Sequence, residues 1–354
     1  PRADRDGVGV RILAHDVDGV TQRDARAAAL PDGEMLLSVM PADDLAVPDH
    51  PGKWGGEPTP GTKIGHPGDG AVMVWVPSGF FIMGADEADA RRLADILDYE
   101  DPDKFAAFEW FPKRREYVEG YFIDMYEVTR QRWGAFVTDT GHEPAKANGH
   151  KTDTPERYAL HPAVSITWAE AQKYANWAGK ALPTEKQWEK AARGTDGRLY
   201  PWGDDPPTPE HGVFPSGGEG RDIFQAVGSK PKGVSPYGCM DMSGNVYEWT
   251  SEWMEPYPNN PRYKEMLSYT GHEFGMLRGG SFYHAMHALS CAKRFGFRAD
   301  ETYFHVGFRT VWTPPEDYFQ SDAYREARDA VAEREAEIEA MREKAVKDTP
   351  YWGG

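Results

Sequence analysis

The residues best suited to chemistry lie close together between Leu277 and Arg309, in LRGGSFYHAMHALSCAKRFGFRADETYFHVGFR. His284, His287 and Cys291 offer imidazole and thiolate, donors that together suit zinc or copper. Residues 284 and 287 point to opposite faces of a strand, so only a turn or a helix would bring them to one ion. Without such convergence the histidines line a groove or sit satisfied at the surface. Arg294, Arg298 and Arg309 could orient an anionic substrate through paired N–H donors. In so acidic a chain they serve equally well as structural ion pairs.

A second chemical stretch is Asp241-Met242-Ser243-Gly244-Asn245-Val246-Tyr247-Glu248. It sets two carboxylates around a tight glycine turn. Hard cations want six to eight oxygen ligands, drawn from carboxylates and inward-facing carbonyls. The plainer alternative has Asp241 capping the turn and Glu248 in a buried ion pair.

Forty basic against 57 acidic residues give a net charge of −17. Nucleic acid and anionic membranes need a cationic footprint and are excluded as partners, whereas divalent cations are favoured. No run of 18 apolar residues exists to span a bilayer. The two cysteines, Cys239 and Cys291, are too few for a disulfide framework. They form one bridge or two small buried apolar groups. The chain opens at Pro1, as it would after removal of a secretory signal or a lipoprotein leader; trimming gives the same start.

With 12 Trp, 37 Gly and 28 Pro, the composition predicts a loop-rich fold held by aromatic packing. Residues 1–70 read as an N-terminal extension with strand-like runs at Val8–Ala14 and Glu34–Met40. Then AVMVWVPSGFFIMG reads as a hairpin turning at Pro77-Ser78-Gly79. The segment from Asp86 to Lys113 reads as a partly helical excursion with Leu93, Ile96 and Leu97 on one face. Thr129 is a predicted N-cap. Thr167-x-x-Glu170 and Thr184-x-x-Gln187 are capping boxes that open two helices ending near Gly179 and Gly194, whose aromatic stripe, Trp168 and Trp188 included, belongs to the core. A loop to Lys232 follows. Beyond Trp312, residues 313–354 form a C-terminal helical extension. The seven-residue spacing of Tyr324, Val331 and Ile338 predicts one helix of about 25 to 30 residues between 316 and 347. So thin a stripe either lies on its own domain or docks a protein partner.

The segments MVWVPSGFFIMG, DMYEVT, HPAVSITWAEAQKYANWAGKALPTEKQWEKAARG, YPWGDD, YGCMDMSGNVYEWTSEW, LRGGSF and VGFR occur in order. Together they resemble the formylglycine-generating enzyme, or sulfatase-modifying factor, family over residues 71–312. The resemblance implies a compact α+β domain of low regular content, similar to a C-type-lectin-like core, exported or lumenal, and stabilised by calcium. Its calcium ligands would be the Asp241 and Glu248 side chains with the Gly244 and Val246 carbonyls, and a second site would fall at Asp222 and Phe224. The oxidising enzymes of the family resemble Arg-Gly-Gly-Ser-x-x-Cys-x-x-x-x-Cys here, two thiolates holding Cu(I). In this chain Arg278-Gly279-Gly280-Ser281 stands, His284 takes the first cysteine position and Leu289 the second. The resemblance therefore implies an exported, calcium-stabilised accessory or scaffold protein that belongs to a larger assembly. The alternative is an oxidoreductase or maturation factor, similar to the pyoverdine-maturation branch, with a site rebuilt around His284, His287, Cys291, Arg294 and Arg298. A true formylglycine-generating enzyme comes last.

Overall fold

A computed structural model describes residues 56–99, 113–145, 156–215, 224–256 and 270–347, with the backbone of two further strands, β1 (Ala25–Ala29) and β2 (Met35–Val39). These two pair antiparallel, so the predicted run at Glu34–Met40 is a strand. The predicted run at Val8–Ala14 lies outside the described residues.

Two four-stranded sheets carry the domain. The first contains β3 (Lys63–Gly65), β4 (Val72–Val76), β7 (Tyr121–Asp124) and β12 (Val311–Trp312), in the order β12-β7-β4-β3. The second has β10 (Phe295–Arg298), β9 (Gly271–Arg278), β8 (Tyr247–Met254) and β11 (Val306–Phe308), in the order β10-β9-β8-β11. Every pair is antiparallel except β11 with β8.

The hairpin expected at Pro77-Ser78-Gly79 does not form. β4 pairs with β3 and β7, whereas β5 (Gly79–Met83) leaves for a separate ribbon with β6 (Arg114–Val118). Gly79, at φ 139°, redirects the chain instead of folding it back. The first sheet also starts at Lys63, inside the segment read as an extension, because Lys63–Gly65 supplies the antiparallel edge to β4.

Among the described residues, five helices pack around the sheets. α1 (Glu87–Ile96) has a reciprocal capping box between Asp86 and Asp89 and buries Leu93. α2 (Arg130–Thr140) starts at Thr129, whose hydroxyl accepts from the Arg132 N–H. α3 (Trp168–Trp177) and α4 (Glu185–Arg193) open on the two threonine capping boxes, as expected. Each such cap contributes about 1 kcal/mol. Trp188 of α4 is fully buried among Val74, Tyr121 and Met242, in the core as predicted.

α5 (Asp322–Lys347) runs 26 residues, close to its predicted length. It lies on its own domain: Ala327 is buried and Ala330 meets Gly65 of β3. Ile338 packs onto the core beside Tyr126, and Lys63 Nζ meets Glu335 at 2.5 Å. Gly65 has a structural reason here, since a Cβ would stand only 3.1 Å from the Ala330 methyl. No described helix is long and apolar enough to cross a membrane.

Candidate functional site

Strand β8 holds the site because alternate side chains point to opposite faces. Glu248 faces Trp188, and Tyr247 faces the loop carrying His284. Two different environments therefore back onto one strand.

On the Glu248 face the polar groups are paired. Arg309 grips Glu248 through two bonds of 2.6 Å, from Nε to Oε2 and from Nη2 to Oε1, and Trp188 Nε1 donates to Oε2 at 2.8 Å. The remaining Arg309 donors reach the carbonyls of Asp124, Met125 and Met240. Asp241, Gly244 and Asn245 take left-handed φ of 60°, 92° and 58°, so the acidic turn bends through three left-handed positions. Asp241 Oδ2 accepts from the Gly228 N–H at 2.5 Å. Asn245 Nδ2 donates to both oxygens of Glu127 at 3.1 Å.

Glu127, Asp241 and Glu248 thus crowd three buried carboxylates around the Arg309 guanidinium. Burial, with the neighbouring carboxylates, pushes the Glu127 carboxyl well above its usual range. Burial likewise takes Asp241 up to about 6. Surplus negative charge is what a hard divalent cation would neutralise, but both Glu248 oxygens are already bonded and, among the described residues, no three His, Cys, Asp or Glu side chains are grouped to hold a metal ion. In the set that the resemblance implies, Asp241 and Glu248 would supply carboxylate and Gly244 and Val246 carbonyl oxygens, and the ion would neutralise the turn. Glu248 also forms the buried ion pair that the sequence left as the alternative. Glu127 was not singled out from the sequence; it lies within DMYEVT, and only the fold carries it to the turn. Of the second predicted pair, Asp222 lies outside the described residues, and Phe224 is buried against Phe282 at 5.4 Å.

The other face of β8 is aromatic. After β9, Gly279 and Gly280 take φ of 95° and 72°, and a Cβ on Gly280 would stand 2.7 Å from the Ala288 carbonyl oxygen, so the turn requires glycine. The loop then places the His284 ring 4.8 Å from Tyr247 and 4.9 Å from His305, with Nδ1 held by Ser281 Oγ at 2.7 Å. Burial pushes His284 down to about 4, helped by His287 and Lys293. His287 is lowered too, by burial and then Lys293. His305, also pushed down to about 4 by burial, joins this group in place of Cys291. The sequence held one signal for it, its place in the aromatic run Tyr303-Phe304-His305.

Cys291 goes elsewhere. Both cysteines are free, fully buried and part of one apolar cluster with Trp188 and Met242. Burial pushes the thiols up to about 11 for Cys239 and about 12 for Cys291. Among the described residues, no three His, Cys, Asp or Glu side chains are grouped to hold a metal ion.

The candidate arginines are all engaged by carboxylates. Arg294 Nε donates to Glu185 Oε1 at 2.6 Å. Arg278 is fully buried; it binds Glu189 and donates to the carbonyls of Cys291 (2.8 Å), Ala292 and Lys293 (3.1 Å each). It thereby pins the far end of the loop to β9. Arg298 lies at the surface, paired with Glu273 and Asp300 at 3.1 Å.

Two sheets of short strands, two helices capped in tandem, and an arginine-pinned loop backed by an acidic turn define a loop-rich α+β domain. The chain belongs to the family described as Sulfatase-modifying factor enzyme 1-like domain, which matches residues 64–314. It is 28% identical over 291 residues to the mouse formylglycine-generating enzyme, covering 67% of this chain and 74% of that enzyme. Mouse inactive C-alpha-formylglycine-generating enzyme 2 is 28% identical over 314 residues, covering 73% of this chain and 92% of that protein. Among solved structures, PvdO from Pseudomonas aeruginosa superposes with a TM-score of 0.57 at 21% identity, over 73% of this chain and all of that one. That likeness bears on the fold alone.

Proposed function

We propose that this chain is an exported, calcium-stabilised accessory or scaffold protein that uses the fold of the formylglycine-generating enzymes without their thiolate and copper chemistry. The observation that carries this reading is the state of the two cysteines. A Cu(I) site made of thiolates needs ionised, converging sulfurs. Here both thiols are fully buried in the core and held protonated at neutral pH, while His284 stands in the loop the family uses. A relative whose own name calls it inactive supports the same direction. The placement outside the cytoplasm rests on the family resemblance. Any protein contact through α5 uses its charged outer face, because its apolar side already covers β3.

The test has two arms on the purified protein. Calcium at a hundredfold excess over its dissociation constant should stabilise the fold by about 2.7 kcal/mol relative to EGTA, read as a rise in Tm. An unchanged melting curve would remove the calcium half of the reading. Cu(I) offered in competition with a thiol chelator should leave the cysteines unoccupied, and a sulfatase-type cysteine peptide should stay unoxidised; turnover of that peptide overturns the accessory half.

One observation favours a second reading, an oxidoreductase or maturation factor rebuilt around His284. His284, His287 and His305 all keep their imidazoles neutral at working pH, the state in which they can accept protons or bind ligands. Oxygen uptake with a supplied substrate, lost in His284→Ala, would establish it.

A further inference from the structure

Among the described residues, His305 stands out as a buried side chain with two unpartnered polar atoms. It is 7% exposed, and neither Nδ1 nor Nε2 has a hydrogen-bond partner. Rings surround it: Phe304 at 4.8 Å, His284 at 4.9 Å, Phe297 at 5.5 Å, Tyr283 at 5.6 Å, Tyr303 at 6.1 Å and Tyr247 at 6.4 Å between centroids. A buried donor and a buried acceptor left unmade cost about 1 to 3 kcal/mol each. Phenylalanine would fill the same space without that cost. Burying an imidazole with no partner inside a cage of rings makes sense where something outside the chain completes it.

The cage is roofed by exposed apolar side chains. Tyr283 is 58% exposed and Phe304 41%, two of the five large apolar residues that stand out on the described surface. Tyr283 and Phe304 meet at 5.3 Å. Tyr283 lies over His305 with its plane tilted only 23°. The chain's own exposed phenol marks where a ring from outside would lie.

We infer that the His305 cage, roofed by Tyr283 and Phe304, is a binding site for a neutral hydroxylated aromatic ring, either a free phenol or the tyrosine side chain of a partner. Other ligand classes fit less well. For an anion the neutral imidazoles carry no positive charge of their own, and Lys293, which acts on His284, stands 5.9 Å from the centre of the Phe295 ring. A metal ion finds no group of three His, Cys, Asp or Glu among the described residues. A cation finds ring faces but no free carboxylate, since Glu301 accepts from the Tyr303 hydroxyl at 2.9 Å and meets Arg298 at 3.4 Å. A pure hydrocarbon would leave both imidazole nitrogens unserved. A hydroxyl both gives and takes a hydrogen bond, so it can meet one of the two diverging imidazole nitrogens in either tautomer, as donor or as acceptor. The ring itself gains offset or edge contacts with its neighbours.

The inference rests on the accessory reading only in making this loop a place for binding; it concerns neither the cysteines nor calcium, so it fails or stands by separate measurements. The full chain is titrated calorimetrically with p-cresol and with toluene, which has the same ring without the hydroxyl. Wild type should prefer p-cresol by about tenfold or more. His305→Phe should bind the two alike and should melt at a higher temperature than wild type. A Gly-Tyr-Gly peptide separates the sources: binding of p-cresol alone means a free phenol, and binding of both means a tyrosine side chain. Should the variant not fold, the histidine ring resonances of the wild type decide. p-Cresol should move those of His284 and His305 and leave those of His211 and His272. Absence of binding, equal affinity for toluene, a preference retained in His305→Phe, or unmoved His305 resonances overturns the inference.

Discussion

The two faces of β8 handle buried polarity in opposite ways. Behind Glu248, the carboxylates of the acidic turn are met by Arg309, Trp188, Asn245 and the Gly228 N–H. Behind Tyr247 the rings pack against one another, but neither nitrogen of the His305 imidazole has a hydrogen-bond partner. The first face is an interior that closes the fold, and the second an interior left incomplete. The fold's densest charge is therefore a poor guide to where this protein meets other molecules. The unsatisfied atom is the better guide.

The comparison breaks most visibly at Arg309. Arg309→Met keeps the chain's length but strands Glu248 as a buried charge, and such a loss costs about 3 to 5 kcal/mol. Urea denaturation reads it as a lower midpoint at unchanged slope. A loss below about 1 kcal/mol would mean that the turn does not depend on the pair.

Smaller effects come from pH, and the two faces should respond with opposite signs in metal-free protein. Asp241 and Glu127 are raised in the fold, so the folded state binds protons more tightly than the unfolded chain. Their contribution grows as pH falls through about 6 and is lost as pH rises. His284 and His305 are lowered to about 4, so the unfolded chain binds more protons below about 6.5. Their contribution is present above that pH and lost as pH falls towards 4. At pH 5, His305→Phe should reduce the protons taken up on unfolding by about one, as read from the slope of stability against pH. An unchanged slope would put the His305 ring in water.

The smallest effect belongs at the surface. Arg298→Ala removes ion pairs to Glu273 and Asp300, all exposed, and should change stability by less than about 0.5 kcal/mol. A larger loss by thermal melting would give that arginine a role the two faces do not share.

Local chemistry was legible in the chain. Thr129, Thr167 and Thr184 announced their helices because a cap depends on residues three apart. The family followed from its ordered segments. The hairpin at Pro77 was misread because strand partners are distant: β4 needed β7, and β5 needed β6. Glu185 and Glu189 passed unnoticed because on a short helix of charged residues they look like a solvated face. Their burial follows only once Arg278 and Arg294 arrive from about 90 to 110 residues away. His305 was hidden for the same reason, since a cage made from four separated segments has no pattern in sequence.

The parallel pairing of β11 with β8 has a consequence for how such a protein changes over time. Parallel neighbours need a long crossover, and here the crossover contains the whole segment from Gly279 to His305. Its start is tied down by Arg278 on Glu189, and its end by Arg309 on Glu248. Between two such anchors, the exposed positions Tyr283, Met286 and Phe304 can be exchanged without altering strand order or register, while Gly280, Cys291 and β10 stay fixed. The segment is a fixed frame with replaceable outward positions, where a lineage, or a protein engineer, can rewrite the surface while inheriting the frame.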